Sequence, residues 1–98
     1  MVYNVIVSPR ALNEIEAAID FYVLNSNDAP KNFITELADA YEVLARNPFK
    51  RIRYKNIRAI QLNKFPYFLF YVVNKSSNTV RVLSCFHNKR NPENRPNY

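Results

Sequence analysis

The stretch Phe65–Val73 leaves few folds open to this chain, because every one of its residues is apolar or aromatic. An uninterrupted apolar run of this length is typical of a strand buried in the middle of a sheet, and it is far shorter than the roughly 20 residues of a membrane span. The chain must therefore supply neighbouring strands and a second layer to cover them. Because the chain has 98 residues, we expect all of this to form one domain, residues 1–98.

Three other segments have the β-branched and aromatic composition of strands. Val2–Val7 opens the chain, Ile57–Leu62 precedes the apolar run, and Val80–Phe86 follows it after the polar loop 74–78. The loop contains the Asn, Ser and Lys residues that are typical of a hairpin connection. The second half of the chain therefore predicts consecutive antiparallel strands.

Two segments have apolar residues at the spacing of amphipathic helices. The first begins at Ser8-Pro9, a favoured N-cap followed by proline at the first helical position, and is expected to end near Asn25–Asn27. The second is expected to be capped by Asn27 or Asp28 and to stop at Asn47-Pro48. Their apolar stripes are Leu12, Ile15, Ile19 and Tyr22, and Phe33, Leu37, Ala40, Tyr41 and Leu44.

The predicted order of elements is therefore β-α-α-β-β-β. A short link between the helices predicts an antiparallel hairpin. We expect an α+β fold in which this helix hairpin packs on one face of a mostly antiparallel four-stranded sheet.

Several function classes are excluded by what the sequence lacks. It has one cysteine and no glycine, which leaves no internal disulfide, no Cys-rich zinc site and no glycine-rich phosphate loop. It has no recognisable signal peptide and no membrane-length apolar run. We therefore expect a cytoplasmic protein without a metal, a cofactor or a membrane partner.

Charge is distributed very unevenly along the chain. Residues 1–45 contain 2 basic and 7 acidic residues, whereas residues 46–98 contain 12 basic residues and only Glu93 as an acidic one. The whole chain carries a net charge of +6. An asymmetry of this size predicts an anionic partner for the second half.

The ordered set of motifs resembles the toxins of the RelE/ParE family, which belong to bacterial type II toxin–antitoxin modules. The resemblance covers nearly the whole chain. The segments that carry it are Ser8-Pro9-Arg10-Ala11, Tyr22, Asn47-Pro48, Arg58, Leu62-Asn63-Lys64-Phe65-Pro66-Tyr67, Tyr71 and His87-Asn88-Lys89-Arg90-Asn91-Pro92. The similarity is strongest to the branch of ParE-like plasmid-stabilisation proteins.

This resemblance implies one of two activities. Toxins of the RelE type cleave messenger RNA on the ribosome, and toxins of the ParE type inhibit DNA gyrase without nuclease activity. Both imply neutralisation by an antitoxin, for which an acidic and partly disordered segment suits the basic half of this chain. Outside the family, the alternative is a basic nucleic-acid-binding module with no toxin role.

Metal-independent RNA cleavage requires a proton-transfer group and cations that stabilise the charge on the phosphate. The resemblance implies His87 as the acid or base, Arg58 and Arg90 as phosphate ligands, and Tyr98 for base stacking or proton transfer. Further basic residues would contact RNA or a partner, namely Arg51, Arg53, Lys55, Lys64, Arg81 and Lys89. Arg58, Arg81, Arg90 and Lys64 are expected to converge on one concave surface.

Each of these residues also has a structural interpretation. His87 is equally well explained as a hydrogen-bonded residue at the end of a strand, and Arg58 as the ion-pair partner of the acidic helices. Cys85 is most simply a small buried apolar side chain. RNA-cleaving relatives carry arginine immediately after the tyrosine that opens the central strand, and here that position is Phe68. This departure weakens the case for cleavage and strengthens the case for gyrase inhibition or a loss of activity. Ribosome-dependent cleavage of messenger RNA remains the first expectation, with gyrase inhibition as the alternative.

Overall fold

The computed structural model describes residues 2–87 of the chain. It contains β1 (Asn4–Val7), α1 (Pro9–Asn25), α2 (Ala29–Arg46), β2 (Ile52–Tyr54), β3 (Ile57–Gln61), β4 (Tyr67–Asn74) and β5 (Thr79–His87). The predicted α+β class and the two helices are confirmed, but the sheet has five strands instead of four. Within the described residues, neither helix is long and apolar enough to cross a membrane.

Helix α1 begins where the sequence predicts. The Ser8 hydroxyl accepts a hydrogen bond from the Ala11 N–H at 3.2 Å, and Pro9 occupies the first turn, where its missing N–H costs nothing. The helix ends with an extended residue, Ser26, whose N–H donates to the Tyr22 carbonyl at 2.9 Å. A glycine is therefore not required at this end.

Helix α2 begins beside the predicted cap, but a different side chain makes the capping hydrogen bond. Asp28 occupies the N-cap position without a capping bond from its side chain. The Ser26 hydroxyl instead accepts from the Ala29 N–H at 3.3 Å. At the other end, the Asn47 N–H donates to the Val43 carbonyl at 2.8 Å, and Pro48 follows. The predicted end at Asn47-Pro48 is confirmed.

The strand order is β1-β5-β4-β3-β2. Strand β1 is parallel to β5, which the chain reaches only after both helices and three further strands, and all other neighbours are antiparallel. Strand β4 lies between β3 and β5, which confirms the central position predicted for the apolar run.

Side chains of β4 alternate between two different environments. Tyr67, Leu69 and Tyr71 are buried in the core with helix residues such as Phe33, whereas Phe68 points to the other face and is half-buried. This alternation agrees with the expected helix hairpin on one face of the sheet. A helix hairpin provides only one covering layer, so the second face of the strand is left partly accessible.

Strand β2 is the element that the sequence analysis did not predict. It pairs with β3 through Ile52 opposite Arg58 and Tyr54 opposite Ile57, with an irregular register between the two pairs. All three of its residues are exposed. An edge strand without a buried face has no apolar alternation, so its composition resembles that of a loop.

Strand β5 continues beyond the end of β1. In this part of β5, the Glu14 side chain accepts the hydrogen bonds that a neighbouring strand would otherwise accept. Strand β1 ends at Val7, opposite Val82. Farther along β5, one carboxylate oxygen of Glu14 accepts hydrogen bonds from the Ser84 hydroxyl at 2.8 Å and the Cys85 N–H at 3.0 Å. Because Ser84 is 0% and Cys85 4% exposed, these donors are inaccessible to solvent.

Candidate functional site

Within residues 2–87, Arg46 is the one lysine or arginine of the second half that forms a salt bridge with an acidic side chain. The two salt bridges found there join Arg10 to Glu14 at 3.6 Å and Arg46 to Glu42 at 3.3 Å. The expected pairing of Arg58 with the acidic helices does not occur. Eight cations between residues 50 and 81 lack a salt bridge within residues 2–87, namely Lys50, Arg51, Arg53, Lys55, Arg58, Lys64, Lys75 and Arg81.

Arg58 is held against the segment that connects α2 to β2. Its Nη1 atom donates to the Lys50 carbonyl at 2.5 Å, and its guanidinium carbon lies 5.3 Å from the centroid of the Phe49 ring. The Tyr71 hydroxyl donates to the Pro48 carbonyl at 2.8 Å, which attaches the same segment to β4. Arg58 therefore has a defined position and is half-buried.

Tyr71 has a structural role at this point. Burial raises the pKa of its hydroxyl, and a backbone hydrogen bond at Lys50 and the nearby Arg58 charge lower it in part. The side chain is 0% exposed, as expected for a core residue. It therefore remains neutral and orders the segment that carries Phe49.

His87 lies on the face of the sheet that the helices cover, at the opposite end of β4 from Arg58. It is opposite Tyr67 in the sheet, and the two ring centroids are 4.9 Å apart in an edge-to-face arrangement. Arg58 is opposite Tyr71, four residues farther along β4. At about 3.3 Å per residue, the backbones of Arg58 and His87 are separated by about 13 Å along the strand. The structure therefore does not bring these two predicted catalytic residues together.

A separate set of basic residues lies on the face of the sheet opposite the helices. The Arg53 guanidinium lies over the Phe68 ring at 5.3 Å, and Phe70 stacks beside Phe68 at 6.2 Å. Arg81 is opposite Val72 and belongs to this face as well. Because Arg58 lies on the helix side, the predicted convergence of Arg58 and Arg81 on one surface is wrong: the parity of the register places them on opposite faces.

The remaining predicted basic residues are distributed over loops and the chain end. The ammonium group of Lys55 lies over the Tyr54 ring at 5.3 Å, and Arg51 is exposed just before β2. Lys64 is exposed between β3 and β4, where its backbone N–H donates to the Glu36 carboxylate at 3.1 Å. Lys89, Arg90 and Tyr98 lie outside the described residues.

Phe49 and Lys75 form a feature that the sequence analysis missed. The Phe49 ring is 41% exposed, and the Lys75 ammonium lies 5.3 Å from its centroid, the same distance as the Arg58 guanidinium carbon. The Tyr3 ring meets Phe49 edge-on at 5.8 Å. The only signal for it in the sequence is an aromatic residue that directly precedes the basic run Lys50-Arg51.

Cys85 has the properties of a buried structural residue. Burial raises the pKa of its thiol to about 12, and the nearby Glu14 carboxylate adds to the effect. Tyr41 packs in the same region. Burial is the main reason that the pKa of its hydroxyl is raised to about 12, and the nearby Cys85 adds to the shift. A thiol with such a pKa carries almost no thiolate at neutral pH, so it is not a nucleophile.

We expect Cys85 in the folded protein to react with a thiol-specific disulfide reagent at least about 100-fold more slowly than free cysteine at pH 8, because both burial and the low thiolate fraction oppose reaction. As a control, unfolding the protein in urea should raise the reaction rate of Cys85 to that of free cysteine. A rate in the native protein equal to that of free cysteine would contradict the assignment.

Within residues 2–87, no group of three or more His, Cys, Asp or Glu side chains is arranged to hold a metal ion. This part of the chain does place guanidinium and ammonium groups beside the exposed rings of Phe49 and Tyr54. Such a surface binds anions.

Comparison with known proteins gives a family from the sequence and similar folds among solved structures. The family described as ParE toxin of type II toxin–antitoxin system, parDE, matches residues 5–92. None of the curated proteins matches the chain. A structure of the chromosomal ParDE system from P. aeruginosa is similar with a TM-score of 0.70 and 13% identity over 88% of this chain and 96% of that chain.

Two RelBE structures are also similar in fold. The RelBE2 toxin–antitoxin complex from Mycobacterium tuberculosis has a TM-score of 0.63 and 18% identity, covering 89% of this chain and 99% of that chain. The intact RelBE complex from E. coli has a TM-score of 0.57 and 20% identity, covering 90% and 99%. Because the family match extends over most of its length, this chain belongs to the ParE toxin family of type II toxin–antitoxin systems.

Proposed function

We propose that this toxin acts in the cytoplasm as a ParE-type inhibitor that binds DNA gyrase and does not cleave RNA. The observation that carries the proposal is the separation of about 13 Å along β4 between Arg58 and His87. The family match is consistent with it, since the resemblance assigns gyrase inhibition to toxins of the ParE type.

RNA cleavage requires the proton-transfer group and the phosphate-binding cations to act on one phosphate, within hydrogen-bonding distance of its oxygens. Arg58 is bound to the Lys50 carbonyl, and the ring of His87 packs against Tyr67. Phe68 replaces the arginine of RNA-cleaving relatives, and its ring is occupied by the Arg53 guanidinium. Inhibition by binding requires no such convergence.

A basic surface without internal partners also supports neutralisation by an antitoxin. Eight cations between residues 50 and 81 have no salt bridge within residues 2–87. An acidic segment that orders on binding would supply the missing carboxylates. We expect the association rate of this complex to fall as the salt concentration rises. The related ParDE and RelBE structures are of toxin–antitoxin systems.

Ribosome-dependent cleavage of messenger RNA is the second candidate function. One observation favours it: His87 ends β5 only half-buried, and the basic residues Lys89 and Arg90 follow after Asn88 in the sequence. Metal-independent cleavage requires a proton-transfer group and phosphate-binding cations, and these residue types occur together in this part of the sequence.

Gyrase inhibition and messenger RNA cleavage predict that different processes stop first after the toxin is induced in a bacterial host. We expect DNA synthesis, measured by pulse labelling, to fall within the first minutes while protein synthesis continues. We also expect His87→Gln to remain as toxic as the unmodified protein, and purified toxin to inhibit supercoiling by gyrase.

The control is a variant with a disrupted core, Phe33→Ala, which should be harmless to the host if toxicity requires the fold. Early arrest of translation, together with loss of toxicity in His87→Gln, would instead establish the ribosomal function. Continued growth with soluble, folded toxin in the cell would contradict both functions in that host and favour a nucleic-acid-binding module.

A further inference from the structure

We propose that Phe49, Arg58 and Lys75 form an anchor site for a carboxylate of an extended acidic peptide, the segment by which the antitoxin covers the edge of the sheet. This inference rests on the proposed neutralisation by an acidic antitoxin, and it assigns that contact to particular residues. The site lies where the segment after α2, the start of β3 and the loop after β4 meet.

Two positive charges are concentrated beside one exposed ring. The Arg58 guanidinium carbon and the Lys75 ammonium nitrogen each lie 5.3 Å from the Phe49 centroid, so they are separated by no more than twice that distance. No carboxylate of residues 2–87 forms a salt bridge with either of them. A bound anion would reduce their mutual repulsion and interact with both.

Arg58 is suited to hold a carboxylate in a fixed orientation. Its planar guanidinium has five N–H donors, and the Lys50 carbonyl accepts one of them. The group is half-buried, so an anion bound there is partly removed from water and its interaction is stronger than on an open surface. Pairs of arginine and carboxylate are often bidentate and charge-assisted, which gives them directional strength.

The neighbouring edge of the sheet favours a peptide over a nucleic acid. Strand β2 is terminal, and no strand of residues 2–87 pairs with its outer side, where an extended peptide can add through backbone hydrogen bonds. Ile52 is opposite Arg58 and 49% exposed, so an apolar contact lies beside the charge. A nucleic acid has no amide backbone that could pair with this edge.

The same edge disfavours a second copy of this chain as the occupant. Arg51, Arg53 and Lys55 place three cations in and around β2, so two such strands would repel each other. The irregular register of β2 against β3 further disfavours pairing with an identical strand. An acidic strand removes the repulsion, which makes the edge selective for a partner of opposite charge.

The test uses the full chain and a short fluorescent peptide in which glutamate alternates with threonine, with binding measured by anisotropy at low salt. We expect Arg58→Gln to weaken binding about tenfold, which corresponds to about 1.4 kcal/mol, and Lys75→Gln to weaken it several-fold. The matched control is Lys31→Gln, which removes the same charge from an exposed position near the start of α2 and should change binding less than about twofold.

Lys75 is exposed and has no role in the core, so its variant keeps the experiment interpretable if Arg58→Gln destabilises the fold. Equal weakening by Lys75→Gln and Lys31→Gln would mean that only net charge matters and would overturn the anchor site. Single-stranded RNA that binds more tightly than the peptide, with the same dependence on Lys75, would also overturn it.

The two proposals fail independently in these measurements. The inhibitor function fails if DNA synthesis is not the first process to stop, whatever the peptide does. The anchor site fails if peptide binding does not depend on Arg58 and Lys75, whatever the toxin's target is.

Discussion

Replacement of Phe33 by alanine is expected to destabilise the protein by about 3–5 kcal/mol, which is a large part of the roughly 5–15 kcal/mol that stabilises a typical domain. Phe33 is 0% exposed. Its ring lies 5.3 Å from the rings of Phe65 and Tyr67 and 5.6 Å from that of Tyr22. Removing it leaves a cavity where α1, α2 and β4 meet.

Urea unfolding followed by circular dichroism measures this loss, and the adjacent residue provides a matched control. Ile34 is on the same helix but 51% exposed, so Ile34→Ala should change the free energy of unfolding by less than about 0.5 kcal/mol. Equal effects of the two substitutions would show that the aromatic cluster does not support the fold.

Replacement of Glu14 by alanine is expected to have the second largest effect, about 1–3 kcal/mol for each buried donor that it leaves without an acceptor. The two donors are the Ser84 hydroxyl and the Cys85 N–H, both of which donate to the same carboxylate oxygen. Glu14→Gln should cost less, because the amide oxygen still accepts. The salt bridge to Arg10 adds little, since the Arg10 side chain is 50% exposed.

Amide hydrogen exchange at Cys85 tests the mechanism directly, together with urea unfolding. In Glu14→Ala the exchange should accelerate, because the N–H loses its acceptor at the point where β1 no longer pairs with β5. Glu16 is exposed on the same helix, so Glu16→Ala serves as the control with the same change of charge. Unchanged exchange in Glu14→Ala would contradict the role assigned to the carboxylate.

The sequence predicted the elements whose patterning is local. Helix α1 is specified by Ser8-Pro9 at its start and by apolar residues at helical spacing, and both are confirmed. The position of β4 at the centre of the sheet was predictable, because a continuous apolar run is rarely stable at an edge. The family was predictable as well, from motifs spread over most of the chain.

Strand β2 was not predictable, because an exposed edge strand has no buried face and hence no alternation of apolar and polar residues. The group formed by Phe49, Arg58 and Lys75 was not predictable from the sequence either. Its members come from three separate segments, and their proximity depends on the hydrogen bonds by which Tyr71 and Arg58 hold the segment after α2.

The sequence by itself determined the class of fold, the helix limits, the separation of acidic and basic halves and the family, since each depends on the order and type of neighbouring residues. Only the tertiary structure decided which basic residues can act together. The register of β3, β4 and β5 offsets Arg58 from His87 by about 13 Å along β4 and places Arg81 on the opposite face. Register depends on pairing between distant segments, and a shift by one residue would have moved each side chain of a strand to the other face.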